Sequence, residues 1–239
     1  MRIGARRVVF LRHGQTDFNV DRRFQGVIDK PLNDRGRLQA QQAATLFPDW
    51  LATRATQVSF SEVPTLSREV KVISSPLSRA FETASIVAAG CTQAGLTVGQ
   101  LATDSRLIER SYGVMEGLTV AEAEGAYPQW FQQWRETGEC LEADIEDSAL
   151  VGRRMVEAAT EYASEGADGS ALLVVGHGSA ITRAVITMLG LSPLTFDALR
   201  GLENCHWSEL VHVGGGGSGA SGAPAWRLAA HNVGASICA

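Results

Sequence analysis

The sequence predicts an α/β fold built on a buried parallel sheet, and three stretches carry that expectation. Val8-Val9-Phe10-Leu11, Val70-Lys71-Val72-Ile73-Ser74 and Ala171-Leu172-Leu173-Val174-Val175 are short, apolar and rich in β-branched residues. That composition marks strands covered on both faces. The second and third pass directly into segments that read as helices, the alternation of an α/β sheet. In such sheets ligands sit beyond the carboxyl ends of the strands.

The first strand ends in Arg12-His13-Gly14-Gln15-Thr16. Arg12 offers a planar fork of donors suited to phosphate, and His13 is a nitrogen nucleophile whose unperturbed pKa lies near neutrality. Gly14 is expected to leave room for backbone approach to a ligand. In the polar loop that follows, Asn19 and Gln25 can supply neutral donors to an oxyanion, although turn chemistry alone accounts for an asparagine at 19. Pro31-Leu32-Asn33-Asp34 opens a helix through about Phe47, with Asn33 or Asp34 as cap and Leu38, Ala43 and Leu46 along one side. Residues 48–69, bracketed by Pro48 and Pro64, show no clear period and read as an insertion, either a flap over the site or surface decoration.

After the second strand, Ser75 reads as an N-cap and Pro76 as the first residue of a helix to about Ala89. Arg79 then lies in the opening turn, beside backbone N–H groups that themselves attract anions. A weak strand is expected over Val98 to Ala102. Glu109 follows the apolar pair Leu107-Ile108, and partial burial there would raise its pKa and suit it to proton donation. The alternative is a surface salt bridge to Arg106 or Arg110. Thr119 to Gly125 and Pro128 to Thr137 read as short helices whose Trp130, Phe131 and Trp134 form core or pocket wall. The acidic stretch from Glu139 to Asp147 reads as a solvated loop rather than a metal cluster, leading into a helix at about Ser148 to Ser164.

The third strand ends in Gly176-His177-Gly178, with Ser179 as the cap of a helix through about Leu189. Two strand–histidine–glycine units in one chain argue against a merely structural His177. Leu210 to Val213 and Trp226 to Ala230 read as two strands joined by the glycine-rich residues 214–222, a linker composition expected to form a flexible hairpin tip with no catalytic part.

At 239 residues and 45% apolar, the chain is expected to form one domain over residues 1–239 with a modest insertion. A net charge of −5 argues against a general nucleic-acid binder. The charge is uneven: residues 1–40 hold nine Arg and Lys against four Asp and Glu, a local +5 that leaves −10 elsewhere. An anionic substrate drawn to the Arg12 end fits that asymmetry. No apolar run approaches the ~20 residues that span a bilayer, and the first residues lack the apolar core of a signal peptide. Cys91, Cys140, Cys205 and Cys238 are scattered, with neither zinc spacing nor a disulfide framework, so a cytoplasmic location is expected.

Taken together, Leu11-Arg12-His13-Gly14-Gln15-Thr16, Ser74-Ser75-Pro76-Leu77-Ser78-Arg79-Ala80, Leu107-Ile108-Glu109 and Val175-Gly176-His177-Gly178 resemble the histidine phosphatase superfamily, the phosphoglycerate mutase-like fold. The resemblance implies a three-layer α/β/α architecture with a mostly parallel central sheet. It also implies roles: His13 as a nucleophile forming a phosphohistidine, Glu109 as proton donor, and Arg12, Arg79 and His177 around the phosphoryl group, without metal or cofactor. Two departures stand out. Ile108 occupies a place where phosphatase members often carry arginine, and Glu109-Arg110-Ser111-Tyr112-Gly113 looks partly like the mutase motif, yet no long proline-bearing insertion follows it. Asn204-Cys205-His206-Trp207, Trp226-Arg227-Leu228 and the opening Arg12 to Asn19 instead resemble the actinobacterial glucosyl-3-phosphoglycerate phosphatases. The expected activity is hydrolysis of a small phosphorylated metabolite, with glucosyl-3-phosphoglycerate as one substrate. A cofactor-dependent phosphoglycerate mutase and a non-catalytic phosphate-binding regulator are the alternatives. Neither nucleic acid nor membrane is expected as a partner, and a homodimer is allowed for.

Overall fold

The computed structural model describes residues 4–57, 67–213 and 225–235. The elements run β1 (Arg7–Arg12), α1 (Asp17–Val20), α2 (Asp34–Gln57), β2 (Glu69–Ser74), α3 (Ser78–Gln93), β3 (Thr97–Val98), β4 (Ala102–Thr103), α4 (Val120–Ala126), α5 (Pro128–Thr137), α6 (Ser148–Glu165), β5 (Ala171–Gly176), α7 (Gly178–Met188), β6 (Trp207–His212) and β7 (Trp226–Val233). The sheet order is β3-β2-β5-β1-β6-β7, with β4 also on β2. Strands β1, β2, β3, β4 and β5 pair in parallel, and β6 and β7 add an antiparallel edge.

Successive strand residues point to opposite faces, and here each face has its own helix layer. Val8, Phe10, Ile73, Leu172, Val174 and Leu210 pack against Val151, Met155, Ala158, Ile181 and Val185 of α6 and α7. Val9, Leu11, Val70, Val72, Leu173 and Val175 pack against Ala40, Ala43, Phe47, Ala80, Ala84 and Val87 of α2 and α3. The three-layer α/β/α architecture expected of the sequence is the one formed. A smaller cluster of Phe24, Met115, Ala123, Phe131 and Ile145 supports α4 and α5 to one side of the layers.

Several boundaries differ from the sequence reading. Helix α2 continues through Pro48 to Gln57, so the first part of the expected 48–69 insertion is helix, and residues 58–66 lie outside the described residues. Proline has no N–H to give the Ala44 carbonyl. The helix tolerates this where α3 presses Gly90 against that carbonyl, so closely that a Cβ would sit 2.4 Å from its oxygen. The buried side of α2 is Ala40, Ala43, Phe47 and Leu51, while Leu38 and Leu46 are exposed. The weak strand expected over 98–102 is two short ones, β3 and β4, laid end to end along β2. Strands β6 and β7 are formed, while the 214–222 tip lies outside the described residues.

Capping also departs from expectation at two places. Asn33 is the cap of α2, its Oδ1 accepting the Gly36 N–H at 2.8 Å. Ser75, however, lies before the first turn of α3, whose cap residue is Leu77. Helix α7 begins at Gly178, so Ser179 is inside it rather than at its cap. Both serines take other work in the site. The stretch from Glu139 to Asp147 is a solvated loop only in part: Glu142 and Asp144 are exposed, but Glu139 pairs with Arg110 at 2.8 Å, Glu146 with Arg154 at 2.8 Å, and Asp147 caps α6. Among the described residues no group of three His, Cys, Asp or Glu is placed to hold a metal. Cys91, Cys140 and Cys205 are buried and free; Cys238 lies outside the described residues.

Candidate active site

The register of the sheet brings the site together. Arg12 of β1 faces Gly176 of β5 across a parallel ladder, so His13 and His177, each the next residue, must emerge side by side. Their ring centroids are 5.1 Å apart. The His13 N–H donates to the Gly176 carbonyl at 3.0 Å, and the Ser75 N–H, beyond the end of β2, donates to the Val175 carbonyl at 3.0 Å. Three strand ends therefore meet at one point.

His13 is 3% exposed. Its Nδ1 lies 2.7 Å from the Gly14 carbonyl oxygen, which can only accept, so Nδ1 carries the proton and Nε2 keeps its lone pair. Burial, then the charges of Arg79 and Arg12, hold the His13 pKa well below its ordinary range. The ring is therefore neutral at neutral pH and available as a nucleophile. His177 is fully buried beside it, its pKa likewise held low by burial and by Arg79. Its Nε2 meets the Ser75 hydroxyl at 2.8 Å, and its Nδ1 has no partner.

Arg12, Arg79 and Gln25 each reserve a donor. Arg12 gives Nη1 to the Leu202 carbonyl at 2.6 Å. Arg79 gives Nη1 and Nη2 to the Ile28 and Gly26 carbonyls, both at 2.9 Å. Gln25 accepts the Thr16 hydroxyl at 3.0 Å through Oε1. The Nε of each arginine and the Nε2 of Gln25 remain buried with no partner. An unsatisfied buried donor costs about 1–3 kcal/mol, so three of them around one cleft mark a place built for a ligand rich in acceptor oxygens. Burial lowers the Arg79 pKa to about 10, which leaves it cationic at neutral pH.

The two glycines earn their places by packing. A Cβ on Gly14 would lie 2.4 Å from the Gly36 carbonyl oxygen, so Gly14 admits the first turn of α2 rather than a ligand. A Cβ on Gly178 would lie 3.2 Å from Arg12 Nε, so Gly178 keeps open the space beside that free donor. Asn19 serves both of its expected uses in part. It closes the capping box of α1 with Thr16, lines the cleft, and accepts from Asn204 at 3.2 Å.

Glu109 lines the same cleft as His13 and is 9% exposed. It makes no salt bridge to Arg106 or Arg110, whose guanidiniums pair with Asp104 and Glu161 and with Glu139 respectively. Its carboxylate accepts the N–H groups of Arg110 at 2.8 Å, Ser179 at 3.1 Å and Ala180 at 2.8 Å. Glu109 thus caps α7 from outside, the role expected of Ser179. The cleft, about 680 Å³, continues past Glu109 along Tyr112, Trp134, Ser179 and Arg183.

Residues 8–220 match the family model described as the histidine phosphatase superfamily, branch 1. The chain belongs to that superfamily. It is 32% identical to the glucosyl-3-phosphoglycerate phosphatase of Mycolicibacterium vanbaalenii over 98% of this chain and 97% of that one. A probable phosphoglycerate mutase of Escherichia coli is 31% identical over 85% of this chain and 83% of its own. Among solved structures, a mycobacterial glucosyl-3-phosphoglycerate phosphatase in complex with VO3 superposes with a TM-score of 0.72 at 30% identity, covering 95% of this chain and 99% of that one.

Within this histidine phosphatase, the sequence reading missed residues that no motif announces. Asn204 donates to the His13 carbonyl at 3.0 Å and lines the cleft; the sequence marks it only as part of the run Asn204-Cys205-His206-Trp207, with no role attached. Tyr112 is partly buried in the wall, its pKa raised by desolvation and then by Glu109, so it remains a neutral phenol. Arg183 had a readable signal: it lies four residues after Ser179 on α7, hence on the same face.

Proposed function

We propose that the chain is a metal-independent phosphomonoesterase working through a phosphohistidine on His13. The observation that carries this reading is the pairing of a neutral His13, its Nε2 lone pair free, with three unpartnered donors around the same cleft. The phosphoryl group takes the place of the missing acceptors: its equatorial oxygens receive Arg12 Nε, Arg79 Nε and Gln25 Nε2, with His177 and Asn19 completing the set. Preorganised donors of this kind stabilise charge where it gathers during phosphoryl transfer. His13 attacks phosphorus as the ester bond breaks, and Glu109 gives its proton to the departing alkoxide. Water then attacks the phosphohistidine, Glu109 takes the proton back, and inorganic phosphate leaves with His13 restored.

Glucosyl-3-phosphoglycerate is the substrate this reading favours, supported by the mycobacterial relatives matched over nearly the whole chain. The alternative is a mutase, favoured by the Escherichia coli relative. A mutase must keep its phosphohistidine from water while the intermediate reorients, which calls for a lid. The chain from Glu109 to α4 is a short run through one 3-10 turn at Gly113–Met115, with no proline before Pro128. That brevity supports hydrolysis. Strands from both ends of the described chain share one sheet, which supports a single catalytic domain over 1–239, and the free buried cysteines support a cytoplasmic setting.

The test supplies 3-phosphoglycerate with a catalytic amount of 2,3-bisphosphoglycerate and, separately, glucosyl-3-phosphoglycerate. Phosphate release, faster from the glucosyl ester, is expected. Fast interconversion of the phosphoglycerates with little phosphate released would establish the mutase.

A further inference from the structure

We infer that Arg183 selects substrates bearing a carboxylate three bonds from the ester oxygen, an inference that rests on the phosphomonoesterase reading of the same cleft. The arginines along the cleft differ in what neutralises them. Arg23 pairs with Glu122 at 2.9 Å, Arg110 with Glu139 at 2.8 Å, and Arg79 lies 3.8 Å from Asp29. Arg183 lines the cleft and has no carboxylate within salt-bridge distance among the described residues. Its Nε donates to the Ser148 hydroxyl at 3.1 Å, which fixes the guanidinium plane and leaves both Nη groups free. The Ser148 N–H in turn donates to Glu139 at 3.2 Å, so one carboxylate serves the neighbourhood of two guanidiniums. Arg12 likewise lines the cleft without a carboxylate partner, but its free Nε belongs to the phosphoryl pocket, so Arg183 is the surplus charge beyond that pocket.

Position adds direction to that surplus. Ser179 and Ala180 donate their N–H groups to Glu109, and Arg183 stands one turn further along the same face of α7, about 6 Å away along the axis. Long side chains on a helix lean toward its N-terminus, so Arg183 leans back over the turn that holds Glu109. A leaving group whose oxygen sits at Glu109 therefore presents its next atoms to Arg183. A singly charged, planar carboxylate matches one surplus guanidinium with two free donors. Arg22 also lines the cleft, but it is exposed, on a left-handed residue with φ of 53°, where water screens its charge.

The experiment compares 3-phosphoglycerate with glycerol 3-phosphate, identical except that a hydroxymethyl group replaces the carboxylate, and uses p-nitrophenyl phosphate as a third substrate. The wild type is expected to prefer 3-phosphoglycerate in kcat/KM. In Arg183→Gln the ratio of the two kcat/KM values should fall about 10- to 100-fold, the scale of a lost charge-assisted pair, mainly through KM. Arg183→Lys should recover part of it. An unchanged ratio, equal losses for both substrates, or no wild-type preference would overturn the role of Arg183. No phosphate from any of the three would overturn the phosphomonoesterase reading itself.

Discussion

The Ser75 hydroxyl stands 2.8 Å from Nε2 of His177, joining the residues that follow two neighbouring strands. Ser75 Oγ already accepts the Leu77 N–H at 3.3 Å, so its one proton is free for the imidazole. Ser75→Ala should leave a buried ring nitrogen unpartnered, at a cost of about 1–3 kcal/mol in stability. Turnover should fall about tenfold as the ring loses its fixed orientation. Denaturant melts and kcat on Ser75→Ala and Ser75→Thr check this, the threonine variant being expected to keep most of both.

Glu109→Gln keeps the shape of the carboxylate but removes its proton. With an alkyl phosphate, kcat should drop about 10²- to 10⁴-fold, the usual scale of general acid catalysis. With an acidic phenol as leaving group the loss should be much smaller. Equal losses for both would remove Glu109 from the proton-donor role.

Arg79→Lys should be severe despite keeping the charge. One ammonium cannot hold the Gly26 and Ile28 carbonyls and also direct a donor at a phosphoryl oxygen. A loss above about 100-fold in kcat/KM is expected, about 2.7 kcal/mol. Near-normal kcat/KM would show that Arg79 only braces the 26–29 loop.

His13 and His177 are both held neutral, their pKa values depressed by burial. Below about pH 6.5 the unfolded chain takes up protons on both while the folded chain does not. Stability is therefore fully present above that pH and falls as pH drops, by up to about 1.4 kcal/mol per unit for each histidine. Urea titrations between pH 5 and 8 should show this slope, and His177→Asn should flatten it.

Much of this was legible because a parallel ladder transmits sequence into position. Once β1 and β5 pair at Arg12 and Gly176, two strand–histidine units become one site. What the sequence withheld depended on packing between distant segments. Gly14 is read from one side as room for a ligand, yet the atom it avoids belongs to Gly36. Ser179 has the chemistry of a cap, yet the helix starts one residue before it and Glu109 takes the N–H groups of the first turn, that of Ser179 included. Asn204 approaches His13 from 191 residues away, and no local pattern encodes that. Pro48 looked like a helix end because its cost is local, while the packing of α2 on α3 that offsets it is not.

In the proposed mechanism phosphorus bonds to Nε2 of His13. Rapid quenching after mixing with ³²P-labelled glucosyl-3-phosphoglycerate should trap protein-bound phosphate that is labile to acid and stable to base, on the peptide containing His13. His13→Asn should abolish it. Turnover without any trapped phosphate, or label that persists in His13→Asn, would remove His13 from the role of nucleophile.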